Sequence, residues 1–206
     1  MKKLALIALA APVFAGTPEP VVTMPAPAPA APCCAVELGV SGNMAAKDLF
    51  KQFPNKEVDT VGIDLTAVHS FTPKHAITFR IGAAQGDETE HADEARLKTY
   101  LRTVSIMPGY RFTQPVSEKT SLFCGVNAGL VNQHVHLKML DTNADDSAWG
   151  WGATAEVGVR YQLCPCSEIF AAYQLSGNTV NNDFGHGLET HRQIHNGVRA
   201  GVSIKF

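Results

Sequence analysis

Five cysteines and eight histidines are the side chains of this chain that could bind a metal or react covalently. The cysteines occur as an adjacent pair, Cys33-Cys34, as an isolated Cys124, and as Cys164-Pro165-Cys166. Four thiolates can hold a zinc ion, but neither adjacent cysteines nor a C-x-C spacing is usual in zinc sites. The sequence therefore predicts no metal site, and it favours a disulfide among Cys33, Cys34, Cys164 and Cys166.

The histidines form no recognisable catalytic or metal motif. His191 and His195 have a spacing that aligns two ligands on a helix, but here they lie where a loop enters a strand. His134 and His136 share one face of a strand, and exposure at an interface explains them more simply than metal capture. The sequence also contains no G-x-x-x-x-G-K or H-E-x-x-H segment. We therefore predict no catalytic residue and no cofactor.

The first 34 residues have the composition of a targeting segment followed by a linker. Lys2 and Lys3 precede an apolar run at 4–11, and small residues end at Ala15, which predicts a signal peptide over residues 1–15 with cleavage near Ala15. The apolar run is shorter than the roughly 20 residues that a membrane-spanning helix needs. Residues 16–34 are rich in proline and alanine, which indicates an extended tether before a domain at 35–206.

Alternation of apolar and polar residues predicts an all-β domain with eight strands. The predicted strands cover residues 35–43, 58–69, 75–85, 97–113, 120–136, 149–163, 168–176 and 191–206. Their connections alternate between long polar segments, at 44–57, 86–96, 137–148 and 177–190, and short turns. The formal net charge of −2 argues against nucleic acid as a partner.

The last predicted strand has its apolar face on the outside of any closed sheet. Val198, Val202 and Phe206 share one face, while Arg199 and Lys205 lie on the other. Continuing this parity through all strands predicts a polar network in the interior, formed by Glu37, Asp64, Arg80, Arg111, Glu156, Arg160, Arg199 and Lys205. The same parity places aromatic girdles at the two rims, formed by Tyr100, Trp149 and Trp151, and by Phe71, Tyr110, Phe112, Tyr161 and Phe206.

This pattern resembles the small eight-stranded outer-membrane β-barrels of the OmpA/OmpX-like class, which are also described as porin-family β-barrel domains. The resemblance implies an antiparallel up-and-down transmembrane barrel with long extracellular loops and short periplasmic turns. It implies a monomer in the outer membrane, in contact with lipid and lipopolysaccharide. The strand that ends at Phe206 resembles the signal that the barrel-assembly machinery recognises.

Three functions are compatible with such a barrel. The leading hypothesis is a non-enzymatic protein of the envelope that binds or adheres to a surface through its extracellular loops, with an unidentified ligand. A narrow porin-like channel for ions or small solutes is the alternative. The third is an enzyme that modifies lipid A, which needs a serine, a histidine and a carboxylate on the lipid face. Ser176 with His191 or His195 and Glu189 is the conceivable set, although Ser176 has inward parity and no motif supports it. Because the periplasm is oxidising, the cysteines at the turn end are expected to form at least one disulfide.

Overall fold

A computed structural model of the chain describes residues 33–45, 58–92, 95–139, 142–183 and 193–206. The expected signal peptide, and the expected tether up to residue 32, lie outside these ranges. In the described ranges there are eight strands: β1 (Cys33–Ala45), β2 (Thr60–Ser70), β3 (His75–Ala92), β4 (Ala95–Pro115), β5 (Thr120–Met139), β6 (Thr142–Cys164), β7 (Ser167–Asn178) and β8 (Ile194–Lys205).

The strands form one closed antiparallel barrel in chain order, as the sequence predicts. Closure is made by β1 and β8, which pair from Ala35 opposite Lys205 to Ala45 opposite His195. Three short turns, at 71–74, 116–119 and 165–166, lie at the end where β1 begins and β8 ends. We call this the turn end, and we call the opposite end the hairpin end.

The burial of side chains is inverted relative to a water-soluble barrel. Along β2, Val61 and Ile63 on the outside are 69% and 62% exposed, whereas Thr66 on the inside is fully buried. The outside of the barrel therefore requires an apolar surrounding, and the paired backbone of a closed sheet satisfies the hydrogen-bonding needs of such a surrounding. Within the part of the chain that the structure describes, there is no helix of the length and apolar character that a membrane crossing requires.

Aromatic side chains lie at both edges of the apolar outer surface. Trp149 and Trp151 are exposed towards the hairpin end, and so is Tyr100 of β4, while Tyr161 and Phe206 are exposed at the turn end. Trp151 and Tyr161 are ten residues apart on the outside of β6, which is about 33 Å of strand and about 25 Å of height at a typical barrel tilt. This height matches the apolar band of a transmembrane barrel.

The turn-end aromatic residues also contact one another. Phe71 and Tyr110 are exposed, whereas Phe112 is half-buried against the ring of His75, with 5.4 Å between ring centroids. His75 Nδ1 is hydrogen-bonded to the Tyr110 hydroxyl. This cluster holds the first turn against the neighbouring strand β4.

Two of the expected loops are wrong, because strands occupy most of those segments. The loops predicted at 86–96 and 137–148 belong largely to β3, β4, β5 and β6, which continue as two long hairpins beyond the apolar surface. Their polar composition reflects contact of the outer face with water, because an antiparallel sheet can face water on one side.

The boundary between tether and barrel also differs from the expectation. Cys33 and Cys34, predicted to end the tether, belong to β1 and pair with Ser70 and His69 of β2. The remaining strand limits shift by a few residues, and β8 begins at Ile194 rather than at residue 191.

The inverted burial predicts how a charge on the outer surface acts at two heights of the same strand. Leu38 and Met44 both lie on the outside of β1, with Leu38 at mid-height and Met44 at the hairpin end. We expect Leu38→Arg to lower the free energy of unfolding by about 2–4 kcal/mol, and Met44→Arg by about 0–1 kcal/mol. Urea titration in lipid vesicles, followed by tryptophan fluorescence, measures both values. Equal costs at the two positions would contradict the predicted membrane level.

Candidate functional site

The candidate site is a layer of charged side chains inside the barrel. The structure places all eight charged residues of the predicted network there, and it adds Glu168. In the described residues this gives five cations and four carboxylates, contributed by seven of the eight strands. We call this set the ion-pair layer: Glu37, Asp64, Arg80, Arg111, Glu156, Arg160, Glu168, Arg199 and Lys205.

Glu37 of β1 is the centre of the layer. Its side chain is fully buried, and Arg111 donates two hydrogen bonds to it, at 2.6 Å to Oε1 and 3.0 Å to Oε2. Arg160 also donates to Glu37 Oε1, and Arg199 Nη1 lies 3.7 Å from its Oε2. A carboxylate among three guanidinium groups is held in its charged form by direct pairing, which offsets the cost of its burial.

Glu156 links the centre of the layer towards the hairpin end. It accepts a hydrogen bond from Arg111 at 3.0 Å and another from Arg80 at 2.5 Å. Arg80 Nε lies 3.8 Å from Asp64 Oδ1, and Asp64 is paired with Arg199 through both carboxylate oxygens. The layer is therefore one connected network across the barrel.

A missing side chain makes room for the Asp64–Arg199 pair. Gly39 of β1 lies opposite both Asp64 of β2 and Gly201 of β8. A Cβ atom at Gly39 would lie 2.7 Å from Asp64 Oδ2 and 2.8 Å from Arg199 Nε. The pair therefore fits only where the neighbouring strand lacks a side chain.

Two phenylalanines complete the layer towards the turn end. Phe123 and Phe170 point inward and are almost fully buried, at 2% and 4% exposure. The Arg160 guanidinium lies 4.9 Å from the Phe123 ring centroid and 5.7 Å from that of Phe170. Arg111 lies over Phe123 at 5.0 Å, and Arg199 over Phe170 at 4.5 Å. These cation–π contacts fill space that the hydrogen bonds leave open.

The ion-pair layer separates two cavities that have no lining residue in common. The cavity towards the hairpin end is lined by polar residues that include Asn43, Thr60 and Arg80, together with apolar ones such as Met107 and Val131. The cavity towards the turn end has Ser70, Thr113 and Ser121 in its lining, together with Glu168 and Lys205. We call these two cavities the vestibules, and within the described residues they lie on either side of the buried ion-pair layer.

Apolar side chains bury the inner face of the two long hairpins. Val58, Leu101, Val135 and Leu137 form one buried cluster, and Met107, Val131 and Val180 form a second. The segment at 179–183 contacts both β6 and β5. Thr179 N donates to Trp151 O of β6 at 2.8 Å, and Asn182 Nδ2 donates to Gln133 O of β5 at 3.2 Å. The hairpins are thus packed against each other and against segments outside the strands.

Glu168, Phe123 and Phe170 are the members of this site that sequence reasoning missed. The signal was present, because the parity of β5 and β7 assigns all three to the inside. Glu168 lies two residues after the turn at 165–166, where parity is hard to fix from sequence. The two phenylalanines are apolar, so the expectation of a polar interior did not include them.

The expected disulfide among Cys33, Cys34, Cys164 and Cys166 stays a prediction, and the strand register disfavours a bond between the two cysteine groups. Cys164 and Cys166 are free thiols. Cys34 lies in β1 with its Sγ 3.4 Å from His69 Nδ1, and β8 lies between β1 and the Cys166 turn. The prediction assumed that Cys33 and Cys34 were on a flexible tether, whereas pairing with β2 fixes their backbone.

The histidines considered for chemistry do not form one cluster, because His134 and His136 share the outer face of β5 while His195 lies in β8. His134 is on the outside of β5, with Nε2 3.0 Å from Asp145 Oδ1. His195 lies in β8 opposite Ser176, and its Nε2 is 3.0 Å from Gln193 Oε1. His191 lies outside the described residues. Among the described side chains, no three metal-binding residues come together.

A second candidate surface lies on the outside of β4 and β5, towards the hairpin end. Its side chains are Lys98, Arg102, His134, His136 and Lys138, which we call the basic strip. Lys98 lies directly opposite Lys138, and Arg102 directly opposite His134. Lys98 Nζ lies 4.5 Å from the Tyr100 ring centroid. Among the described residues, Lys98, Arg102 and Lys138 have no ion-pair partner.

No family model matches the chain, and no curated protein matches it either. Solved structures that share its fold include the following three. Neisserial surface protein A is 13% identical, with a TM-score of 0.52 over 84% of this chain and 97% of that one. Ail of Yersinia pestis, in complex with the heparin analogue sucrose octasulfate, is 13% identical, with a TM-score of 0.51 over 84% and 99%. OprG of Pseudomonas aeruginosa is 11% identical, with a TM-score of 0.50 over 85% and 96%.

The ion-pair layer predicts a large cost for removing its central charge. We expect Glu37→Gln to lower the free energy of unfolding by about 3–5 kcal/mol, because three buried guanidinium groups lose their shared carboxylate. The matched change Asp145→Asn removes an exposed carboxylate paired with His134, and we expect an effect within about 0.5 kcal/mol. Denaturant titration of both variants in the same vesicles tests this. A small effect at Glu37 would show that the layer is not held by these pairs.

Proposed function

We propose that this chain is a non-enzymatic, integral outer-membrane β-barrel that contributes to envelope structure and binds at the cell surface through its hairpin end. The ion-pair layer is the observation that carries the proposal, since it closes the interior at mid-height. A barrel with a closed interior acts through its outer surface and its ends. The fold shared with outer-membrane barrels supports the location.

The orientation follows from the chain ends. Residue 33 and Phe206 both lie at the turn end, where the expected tether would remain in the periplasm. Phe206 is 76% exposed at the end of a strand whose outer face is apolar, which supports recognition of this strand by the barrel-assembly machinery. The hairpin end then faces outward. Because every strand edge is paired, we propose a monomer.

A narrow channel is the second candidate, and the two vestibules favour it. Ions entering from either end would meet the ion-pair layer, where Glu37 and Arg111 share two hydrogen bonds in a buried position. Conduction would require this pair to separate. Each of the two buried charges would then lack its partner, which is energetically costly. The geometry therefore supports a closed resting state.

An enzyme that acts on lipid A would need its serine and histidine on the lipid face. Ser176 and His195 line the interior cavity, and the His195 ring is hydrogen-bonded to Gln193. This placement supports the non-enzymatic proposal.

The basic strip supports phosphorylated lipid of the outer leaflet, such as lipopolysaccharide, as a partner. Like charges directly opposite in a sheet repel each other, and Lys98 and Lys138 are such a pair. An anion between them would remove this repulsion, and the phosphate groups of lipopolysaccharide are anions present at the outer surface.

The closed interior predicts electrical silence. In planar bilayers we expect the folded protein to give no steady unitary current, because the ion-pair layer blocks the passage of hydrated ions. We expect the double variant Glu37→Ala, Arg111→Ala to give steady currents, since both members of the central pair are removed. Heat-dependent migration on a denaturing gel confirms that each sample is folded. Uniform steady currents from the unaltered protein would overturn the closed state. Absence of current from the folded double variant would mean that a part of the barrel other than the Glu37–Arg111 pair closes the interior.

The basic strip predicts a specific response to lipid phosphate. We expect lipid A to raise the unfolding temperature of the protein in mixed micelles, and the double variant Lys98→Gln, Lys138→Gln to lose most of that rise. The control is Lys74→Gln, Lys119→Gln, which removes the same charge from exposed turn-end positions and should keep the rise. Dephosphorylated lipid A separates phosphate recognition from acyl-chain packing. An equal response of both double variants would contradict the assignment.

A further inference from the structure

The turn between β6 and β7 brings two thiols together at the turn end. Cys164 ends β6 and Cys166 precedes β7, with only Pro165 between them. Their Sγ atoms are 3.1 Å apart, and Cys164 Sγ is 2.9 Å from Ser167 Oγ. Cys166 is exposed and Cys164 is half-buried. A disulfide bond is about 2.05 Å long, so a small change in the side-chain torsions would join the two sulfur atoms.

The other described cysteines are too far away to compete for these thiols. The backbone of Cys166 accepts a hydrogen bond from Lys205 N, and the backbone of Cys34 accepts one from Phe206 N. Strand β8 therefore lies between them, which separates them by about two strand spacings, or roughly 10 Å. Cysteines whose Cα atoms are more than about 7 Å apart do not form a disulfide without backbone movement. Cys124 lies on the outer face of β5.

We propose that Cys164 and Cys166 form a thiol–disulfide site that reacts with a disulfide-bonded oxidant at the turn end of the barrel. The Cys164 thiolate attacks one sulfur of the oxidant, forms a mixed disulfide and releases the first thiolate of the oxidant. The Cys166 thiolate then attacks the Cys164 sulfur and releases the second. Two electrons pass to the oxidant, and the two thiol protons end on its released thiolates.

Ser167 is positioned to assist the first step. A thiolate at Cys164 would accept a hydrogen bond from the Ser167 hydroxyl across the 2.9 Å contact. The short turn keeps Cys166 next to the mixed disulfide, so the second step is intramolecular and fast relative to capture by another thiol. The site does not depend on whether the ion-pair layer is closed.

Peptide mapping after oxidation with glutathione disulfide tests the proposal. Trypsin releases residues 161–192, which contain Cys164 and Cys166 as their only cysteines, and residues 120–138, which contain only Cys124. The folded, reduced protein in detergent is treated with glutathione disulfide, blocked with N-ethylmaleimide, digested and measured by mass spectrometry. We expect peptide 161–192 to lose two hydrogen atoms and to carry no label, while peptide 120–138 carries the label.

The variant Cys166→Ser separates the two chemical steps. We expect it to stop at the mixed disulfide, so that peptide 161–192 carries one glutathione on Cys164. In the unaltered protein, full labelling of both cysteines, stable glutathione adducts on either, or a cross-link to the peptide that contains Cys33 and Cys34 would overturn the proposal. Heat-dependent migration of each sample ensures that the result is measured on the folded barrel.

Discussion

The structure depends on one constraint, which is that a backbone in lipid must satisfy its polar groups within the protein. Eight strands meet it by closing into a ring in which β1 pairs with β8. Closure fixes which residues face lipid, because neighbouring side chains on a strand point to opposite faces. The outer face is then apolar, as at Leu65 and Ile81, and the polar residues of the barrel wall point to the inside.

The charged side chains inside the barrel pair with one another. An eight-stranded ring leaves room for side chains and little else, so buried charges such as Glu37 and Arg199 must find partners within a few ångströms. The resulting ion-pair layer, with Phe123 and Phe170 among its guanidinium groups, divides the interior into two vestibules. The same feature thus satisfies the buried charges and leads to the proposal of a closed barrel that acts at its surface.

Much of this follows from the sequence because strand parity has a period of two. Parity alone places Glu37, Asp64 and Arg80 inside, and the terminal strand shows which face is apolar. It does not say where a strand stops: the long hairpins of β3–β4 and β5–β6 are polar enough to look like loops. It also gives no pairing partners, so the isolation of Cys34 from Cys166 by β8 could be seen only once the register was known.

The most direct test of the inverted barrel is electrophoresis of the outer-membrane fraction on a denaturing gel, with and without boiling. A folded membrane barrel resists detergent until it is heated, so we expect the protein in that fraction to migrate differently before and after boiling. Recovery of the protein in the soluble fraction, with the same mobility in both samples, would contradict the membrane barrel.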